Sequence, residues 1–329
     1  MPANLPPHYY EEEKKLRTAR TPEEKIAILE SLLRLMPKHK GTEKLQAELK
    51  RRLASARSEG DRRSGGKRKA DEHHVPREGA GQVILAGLPN SGKSSIVGAL
   101  THASPLIAAY PYATLKPLSG MARYENVMVQ LVDIPPIPWE VTDPWVSNLL
   151  RNADAICLTV ELQDDPVGQT EILLEEISRR RILPLRRGEE APAEPGALLP
   201  RRVFLAGTKR DLPGAEEGLQ ALESRFSPAY GVVGFSAAVK SGTELFLRET
   251  FRALDRVRIY SKVQGKKPDR EHPFVVRKGT TVYELAGGIH KDFLKQFRAA
   301  RIFSQDGYDG QRVGKDFMLR DGDVIEILV

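Results

Sequence analysis

The segment GLPNSGKS, residues 87–94, has the residue types and spacing of a phosphate-binding loop. It follows the apolar run Val83–Ala86 and precedes an apolar helix start, which is the strand–loop–helix setting of such loops. Its glycines allow backbone N–H groups to surround phosphate oxygens at a helix N-terminus. Lys93 is expected to reach the β- and γ-phosphates, and the Ser94 hydroxyl to ligate magnesium. The residues predicted to bind the phosphates are Gly87, Pro89, Asn90, Ser91, Gly92, Lys93, Ser94 and Ser95.

Two further segments indicate that the base is guanine. In GTKRDL, Asp211 follows the apolar run VFLAG and offers two acceptor oxygens. These match two adjacent donors on guanine, whereas adenine presents an acceptor at one of the two places. Lys209 can lay its methylene groups over the base, and in FSAAVKSG the backbone N–H of Ala237 is placed to meet the guanine carbonyl. Base contacts are therefore predicted for Thr208, Lys209, Asp211, Ser236, Ala237 and Ala238.

Two residues between these motifs are candidates for magnesium and γ-phosphate contact. Thr114 lies in YPYATLKP, and Asp133 ends the apolar run VMVQLVD. The predicted metal ligands are Ser94, Thr114 and, through a water molecule, Asp133. The predicted catalytic residues are Lys93, Thr114 and Asp133.

The segment after Asp133 departs from the usual Asp-x-x-Gly pattern, because Pro136 occupies the glycine position. Proline has no N–H to donate to the γ-phosphate, and it biases Pro135 toward extended geometry. No glutamine follows to orient water; Ile137 does. We therefore expect a weak intrinsic GTPase with similar affinities for GTP and GDP, whose hydrolysis depends on a partner or a cation.

The spacing of apolar runs predicts the fold that positions these residues. Residues 82–257 alternate short apolar runs with helical patterns, which favours a mostly parallel sheet with helices on both faces. Residues 186–200 are rich in proline and glycine and predict a long loop within this α/β domain. The runs predicted as strands are QVILAG, VMVQLVD, AICLTVEL, RRVFLAG and GVVGFSA, and the predicted helices include EILLEEISRRRI, AEEGLQALESRF and GTELFLRETFRALDRV.

The flanking regions predict further domains. Residues 1–57 favour an N-terminal helical hairpin, with Thr21 and Thr42 as N-caps. Residues 58–81 are polar and basic and favour a flexible linker. Residues 258–329 favour a short mixed sheet with one main helix, in the manner of a ubiquitin-like β-grasp.

Composition limits the class of protein. Cys157 is the only cysteine of the 329 residues, so no internal disulfide is possible and a reducing cytosol is expected. No signal-peptide core and no apolar run of membrane-spanning length occurs, which favours a cytoplasmic protein without a membrane partner. Formal charge is +6 over residues 1–80, −3 over 81–257 and +4 over 258–329. The basic ends favour contact with a polyanion; a merely solvated surface is the alternative, and both stay open.

Several of these segments together resemble a known family. GLPNSGKSS, YPYATLKP, DIPP, GTKRD and FSA are similar to motifs of Obg-related GTPases, especially the developmentally regulated GTP-binding (DRG) branch. Residues 258–329 resemble a TGS domain, and residues 5–53 resemble the N-terminal helical segment of DRG-like proteins. The resemblance implies GTP hydrolysis to GDP, magnesium, and association with ribosomes or RNA; DNA is not expected. The chain departs from the family pattern at Ala113, Pro136 and Thr208, where threonine, glycine and asparagine are usual.

Some functional alternatives stay open. Related GTPases use an asparagine such as Asn90 to hold potassium, but this residue type also merely tolerates a turn. A GTPase acting on ribosomes or RNA is the first hypothesis. A nucleotide-binding scaffold with negligible turnover, and a TGS-type small-ligand or regulatory module with a passive GTPase domain, are the others.

Overall fold

The computed structural model describes residues 73–103, 116–137, 144–192, 196–290, 293–294, 297–303 and 309–328, with a few positions before residue 54. It divides into two units, residues 1–74 and 75–329. In the first unit, the described positions 28–29, 31–32, 49 and 51–53 are helical, and Leu29, Leu32 and Leu49 are buried. The caps and the turn of the predicted hairpin lie outside the described residues.

The second unit is built on two sheets, of which the larger has seven strands among the described residues. The strands are β1 (Gln82–Gly87), β2 (Leu118–Tyr124), β3 (Val127–Asp133), β4 (Ala155–Glu161), β5 (Ile182–Leu185), β6 (Leu199–Thr208) and β7 (Gly231–Gly234). Their order is β2-β3-β1-β4-β6, and β6 then pairs with β5 along its first half and with β7 along its second. All pairs are parallel except β2 with β3.

Alternate side chains of the buried central strands enter two separate cores. In β1, Ile84 and Ala86 belong to one core, and Val83 and Leu85 to the other. The predicted sheet with helices on both faces is therefore confirmed. The first core includes residues of α2 (Pro144–Asn152), α3 (Pro166–Arg179) and α4 (Ala215–Phe226), and the second includes residues of α1 (Lys93–Leu100) and α5 (Thr243–Ala253).

Two strands of this sheet differ from the sequence-based prediction. Residues 182–185 form β5, although Ile182 was expected to end a helix that in fact ends at Arg179. The turn at Arg181, which has a positive φ of 62°, separates the two elements. The second difference is β2, whose sequence LSGMARY lacks the periodicity of a strand; it pairs with β3 along its whole length.

The end of the predicted linker is also part of the folded unit. Ala80 N–H donates to the Met128 carbonyl at 2.7 Å, and Gln130 N–H donates to the Gly81 carbonyl at 3.0 Å. The Gln130 side-chain amide reaches the Pro76 carbonyl at 2.9 Å. Residues 75–81 therefore lie alongside β3, and their polar residues Arg77 and Glu78 are exposed.

The smaller sheet carries the C-terminal region. The elements are β8 (Arg256–Ser261), β9 (Phe274–Arg277), α6 (Val282–Ile289), β10 (Ala299–Phe303), β11 (Asp309–Val313) and β12 (Val324–Leu328). The strand order is β11-β10-β12-β8-β9, with β12 and β8 parallel and the other pairs antiparallel. A capping box formed by Thr281 and Glu284 starts α6, which packs on one sheet face. The helices among the described residues are all too short or too polar to cross a membrane.

Arg258 on β8 joins the two sheets. Its guanidinium donates to both carboxylate oxygens of Asp321, at 3.1 and 2.7 Å, and to Glu125 in the β2–β3 turn. It also lies 5.3 Å from the ring centroid of Phe251 on α5. The hydrogen bond to Asp321 contributes most to raising the pKa of Arg258, so the side chain is a permanent cation between two carboxylates.

Replacing Arg258 with methionine is expected to lower the free energy of unfolding by about 2 kcal/mol, since charge-assisted hydrogen bonds of a 14% exposed side chain are lost. Urea unfolding measures the change. The control is Arg225→Met, which removes an exposed ion pair with Glu171 and should cost less than about 1 kcal/mol. Equal losses in the two variants would contradict a linking role for Arg258.

Candidate functional site

The predicted nucleotide-binding residues lie at one edge of the large sheet. Parallel strands bring their carboxyl ends to the same edge, where α/β proteins bind ligands. Here β1 ends at Gly87, β3 at Asp133, β6 at Thr208 and β7 at Gly234. The phosphate loop and both predicted base-binding segments follow three of these ends.

Close packing explains the two glycines of the phosphate loop. A Cβ at Gly87 would collide with the Thr159 carbonyl oxygen on β4 and with Ser91 Oγ. Gly92 is the N-cap of α1 with φ of +88°, a left-handed conformation that favours glycine. The loop is thereby held against β4 at its start and begins a helix at its end, as phosphate binding requires. Of the other predicted residues, Ser91 is buried, Pro89, Ser94 and Ser95 are half-buried, and Asn90 is exposed with φ of 59°.

Lys93 lies folded into the loop that precedes it. Its ammonium donates to the carbonyls of Gly87 and Leu88 at 3.1 and 2.8 Å, and lies 3.4 Å from Ser91 Oγ. Burial lowers the pKa of Lys93 from 10.5 to about 8, and the Asp133 carboxylate opposes part of that shift. Nucleotide phosphates would supply the negative charge that the buried ammonium lacks.

Nucleotide affinity is therefore expected to fall with rising pH above about 8. Below that pH, Lys93 is protonated in the free and bound proteins alike, so affinity is flat. Above it, the free protein has lost a proton that binding must recover, which weakens binding up to about tenfold per pH unit. Calorimetry of GDP binding at pH 8, in buffers of different ionisation enthalpy, should show uptake of about half a proton.

Lys93→Arg is the control for this titration, because an arginine stays protonated throughout the range and should abolish the proton uptake. Binding of GDP to the wild-type protein at pH 8 without proton uptake would contradict the lowered pKa.

Oxygen atoms suited to magnesium meet beside the phosphate loop. Ser94 Oγ donates to Asp133 Oδ2 at 2.5 Å, and Asp133 is buried. Hydroxyl and carboxylate oxygens are the hard ligands that magnesium prefers, so the residues present fit the ion. Thr114, the third predicted ligand, lies outside the described residues. The described residues contain no cluster of three or more His, Cys, Asp or Glu side chains that could hold a metal by themselves.

The segment that follows Asp133 is anchored in the protein core. Ile134 and Ile137 are 0% and 1% exposed, and both prolines between them are buried. The Ile137 N–H donates to the Gly87 carbonyl at 3.1 Å, so the end of this segment is bonded to the start of the phosphate loop. The double proline thus spans a short stretch that is fixed at both ends.

Thr208 connects the phosphate loop to the base-binding segment. Its hydroxyl oxygen lies 2.8 Å from the Ser91 carbonyl and 3.1 Å from the Val160 carbonyl. Its side chain also faces Gly92, where an added Cβ would come within 3.2 Å. A threonine at this position therefore bridges the loop and β4 through one hydroxyl group.

The two predicted base-binding segments are bonded to each other. Ser236 Oγ donates to Asp211 Oδ1 and accepts the Val239 N–H at 3.3 Å. The Arg210 N–H donates to the Phe235 carbonyl at 3.2 Å. Asp211 is exposed, and its hydrogen bond from Ser236 engages one of its two carboxylate oxygens. Ala237 is half-buried and Ala238 exposed in the same turn.

Glu161 was not singled out in the sequence. It ends β4, and its carboxylate forms an ion pair of 2.6 Å with Lys209, whose φ is 58°. The ion pair holds the lysine ammonium at the carboxyl end of β4. The sequence signal that could have identified Glu161 is an acidic residue at the carboxyl end of a central strand.

Comparison with known proteins matches both halves of the second unit. A family model described as "50S ribosome-binding GTPase" matches residues 82–186, and the TGS domain model matches residues 257–329. A GTP-binding protein of Methanocaldococcus jannaschii is 27% identical, with 93% of each chain covered. Developmentally-regulated GTP-binding protein 2 of Homo sapiens is 23% identical, covering 93% of this chain and 98% of its own.

Two solved structures share the fold. The YchF GTPase of Schizosaccharomyces pombe aligns with a TM-score of 0.52 and 16% identity over 79% of this chain and all of its own. A GTP-binding protein from Pyrococcus horikoshii aligns with a TM-score of 0.51 and 17% identity, over 75% of this chain and 99% of its own. At these identities the likeness concerns the fold alone.

Proposed function

Because the chain is a GTP-hydrolysing enzyme of the DRG type with a C-terminal TGS domain, we propose that it hydrolyses GTP slowly by itself and acts in the cytoplasm with ribosomes or RNA. The observation that carries the proposal is the convergence at one sheet edge of Lys93, the Ser94–Asp133 pair and the Ser236–Asp211 pair. They supply phosphate binding, oxygen ligands and base selection respectively.

Each residue has a separate role in this proposal. Lys93 leaves its carbonyl partners for the β- and γ-phosphates, and the backbone N–H groups of residues 87–94 surround the phosphate oxygens. Ser94, Asp133 and Thr114 would hold magnesium, which supplies neutralisation of charge on the phosphates when it is bound. Asp211 accepts two hydrogen bonds from guanine, while Lys209 lies over the base.

Slow turnover follows from the segment after Asp133. Pro136 has no N–H for the γ-phosphate, and Ile137 cannot orient water. A partner surface that supplies the missing polar groups would then complete the site, which favours stimulation by a ribosome or RNA. The description of the matching family model and the basic ends of the chain support that partner.

The decisive experiment combines turnover with co-sedimentation. GTP hydrolysis is measured with and without ribosomes, and pelleting with ribosomes is measured in GTP, GDP and a non-hydrolysable GTP analogue. We expect stimulated hydrolysis and nucleotide-dependent pelleting. Binding without turnover in either condition would instead support a nucleotide-binding scaffold, for which the lack of the Pro136 N–H is the favouring observation.

A potassium ion beside the phosphates is a further part of the proposal. Asn90 is exposed in the loop in a left-handed conformation, where its amide oxygen is available to a cation. Faster hydrolysis in potassium than in sodium is expected, and loss of that difference in Asn90→Ala would assign it to this side chain. Equal rates in both salts would leave Asn90 as a turn residue.

A further inference from the structure

A group of arginines lies at the end of the large sheet opposite the phosphate loop. Arg77 precedes β1, Arg201 lies in the first half of β6, and Arg256 begins β8. Arg277 is the cross-strand partner of Arg256 on β9. We call these four residues the arginine belt.

Of the four arginines, Arg201 is the one whose positive charge its neighbours compensate least. Its guanidinium donates to the Pro200 carbonyl at 2.6 Å and to the Arg151 carbonyl, while its Nε is buried without a hydrogen-bond partner among the described residues. No carboxylate in the part of the chain that the structure describes forms an ion pair with it. Burial and the neighbouring Arg77 both lower the pKa of Arg201. A half-buried cation beside a like charge is unfavourable unless an anion completes it.

Asp154 offsets only part of this charge. Its carboxylate accepts the Gln82 N–H at 2.9 Å, and lies 3.3 Å from Arg256 and 3.9 Å from Arg77. It is therefore shared among a backbone donor and two arginines, and it acts on Arg201 only from beyond ion-pair distance. The belt keeps a clear excess of positive charge.

The belt continues from the large sheet onto the small one. Arg256 and Arg277 lie directly opposite each other in the antiparallel β8–β9 pair, where like charges are destabilising. Arg77 is 53% exposed and Arg277 is also exposed, so an anion in solvent can reach the belt at both residues. The belt thus includes residues of both sheets, with Arg201 on the large one, Arg77 before its strand β1, and Arg256 and Arg277 on the small one.

We propose that the arginine belt binds successive phosphates of an RNA backbone. Guanidinium groups match phosphate geometry with paired hydrogen bonds, and a row of them fits a row of phosphates better than a single anion. The proposal rests on RNA being the partner in the proposed function, and it assigns the contact to this chain's second unit rather than to its N-terminal segment. Because the belt is at the far end of the sheet, RNA and nucleotide bind together.

The test compares the salt dependence of RNA binding in matched variants of the full chain. The probe is a 20-base-pair RNA duplex in a filter-binding titration at several potassium chloride concentrations. Arg77→Gln combined with Arg277→Gln should reduce the slope of log affinity against log salt by about 2, since each lost phosphate contact removes about 1. The control, Arg179→Gln with Arg225→Gln, removes the same charge from exposed ion-paired arginines and should leave the slope nearly unchanged.

Arg201 is tested by a conservative pair. Arg201→Gln should weaken duplex binding about tenfold at low salt, and Arg201→Lys should restore most of it, because the charge returns. GDP affinity, measured in every variant, should be unchanged and so reports that the protein is folded. A folded Arg201→Gln with wild-type RNA affinity would overturn the assignment.

The outcomes separate this inference from the proposed function. A wild-type protein that pellets with ribosomes and binds the duplex, with equal slopes in belt and control variants, overturns the belt and leaves the proposed function intact. A wild-type protein that binds neither ribosomes nor duplex contradicts the proposed function itself. Displacement of the duplex by poly-L-glutamate at equal charge would overturn RNA in favour of an acidic protein.

Discussion

Replacing Asp211 with asparagine is expected to convert the protein from guanine to xanthine nucleotides. The carboxylate is expected to accept two hydrogen bonds from guanine, whereas an amide offers one acceptor and one donor. Because the introduced amide would retain an oxygen for the Ser236 hydroxyl, its nitrogen would face the base. The amide nitrogen would then face a donor group of guanine, which weakens binding. Xanthine presents a carbonyl oxygen at the same place, and this oxygen accepts a hydrogen bond from the amide.

The expected size of this change follows from two charge-assisted hydrogen bonds. GTP affinity should fall by about a hundredfold and xanthosine triphosphate affinity rise by a similar factor, a shift of about four orders of magnitude in their ratio. Competition against a fluorescent nucleotide measures both. Asp316→Asn, at an exposed carboxylate of the C-terminal domain, is the control and should change neither. An unchanged preference in Asp211→Asn would remove Asp211 from the base site.

The sequence was sufficient to predict that these motifs meet at one edge of the sheet, because each of them follows a strand. Gly87, Asp133 and Thr208 each end an apolar run, and parallel strands must bring such ends together. The meeting of Asp211 with Ser236 follows from the adjacency of β6 and β7. Local pattern and tertiary structure agree here, so the prediction needed no knowledge of side-chain packing.

Other contacts depend on tertiary structure that local patterns do not encode. Gly120 lies in β2, and a Cβ there would collide with the Thr101 side chain. This close contact requires glycine, but it leaves no periodic pattern in the sequence. Ile182–Leu185 becomes a strand because β6 provides an edge to pair with, although it follows a run of arginines typical of a helix end. The pairing of Lys209 with Glu161 likewise requires the parallel register of β4 and β6.

The last expectation concerns Pro136, which we expect to limit how well the protein distinguishes GTP from GDP. The wild-type protein should bind both with similar affinity, because the residue at the usual glycine position has no N–H for the γ-phosphate. The structure adds a reason why the segment does not rearrange to compensate. Ile134 and Ile137 are buried on either side of the prolines, and the Ile137 N–H is already bonded to the Gly87 carbonyl.

Pro136→Gly should therefore restore one N–H at a position that the two isoleucines already fix. A hydrogen bond to a charged phosphate contributes roughly 1.5–3 kcal/mol, so the preference for GTP over GDP should rise about ten- to a hundredfold. Ordering the more flexible glycine segment when GTP binds offsets part of this rise, and the substitution also lowers the stability of the protein. Titrations with GDP and a non-hydrolysable GTP analogue measure the ratio.

Pro135→Gly is the matched control, because it removes a buried proline from the same segment but places the new N–H one residue earlier. Its gain in flexibility should resemble that of Pro136→Gly, while its GTP-over-GDP ratio should stay near that of the wild type. Equal ratios in the two variants would assign the effect to flexibility rather than to the restored hydrogen bond. A wild-type protein that already prefers GTP strongly would show that another group contacts the γ-phosphate in place of residue 136.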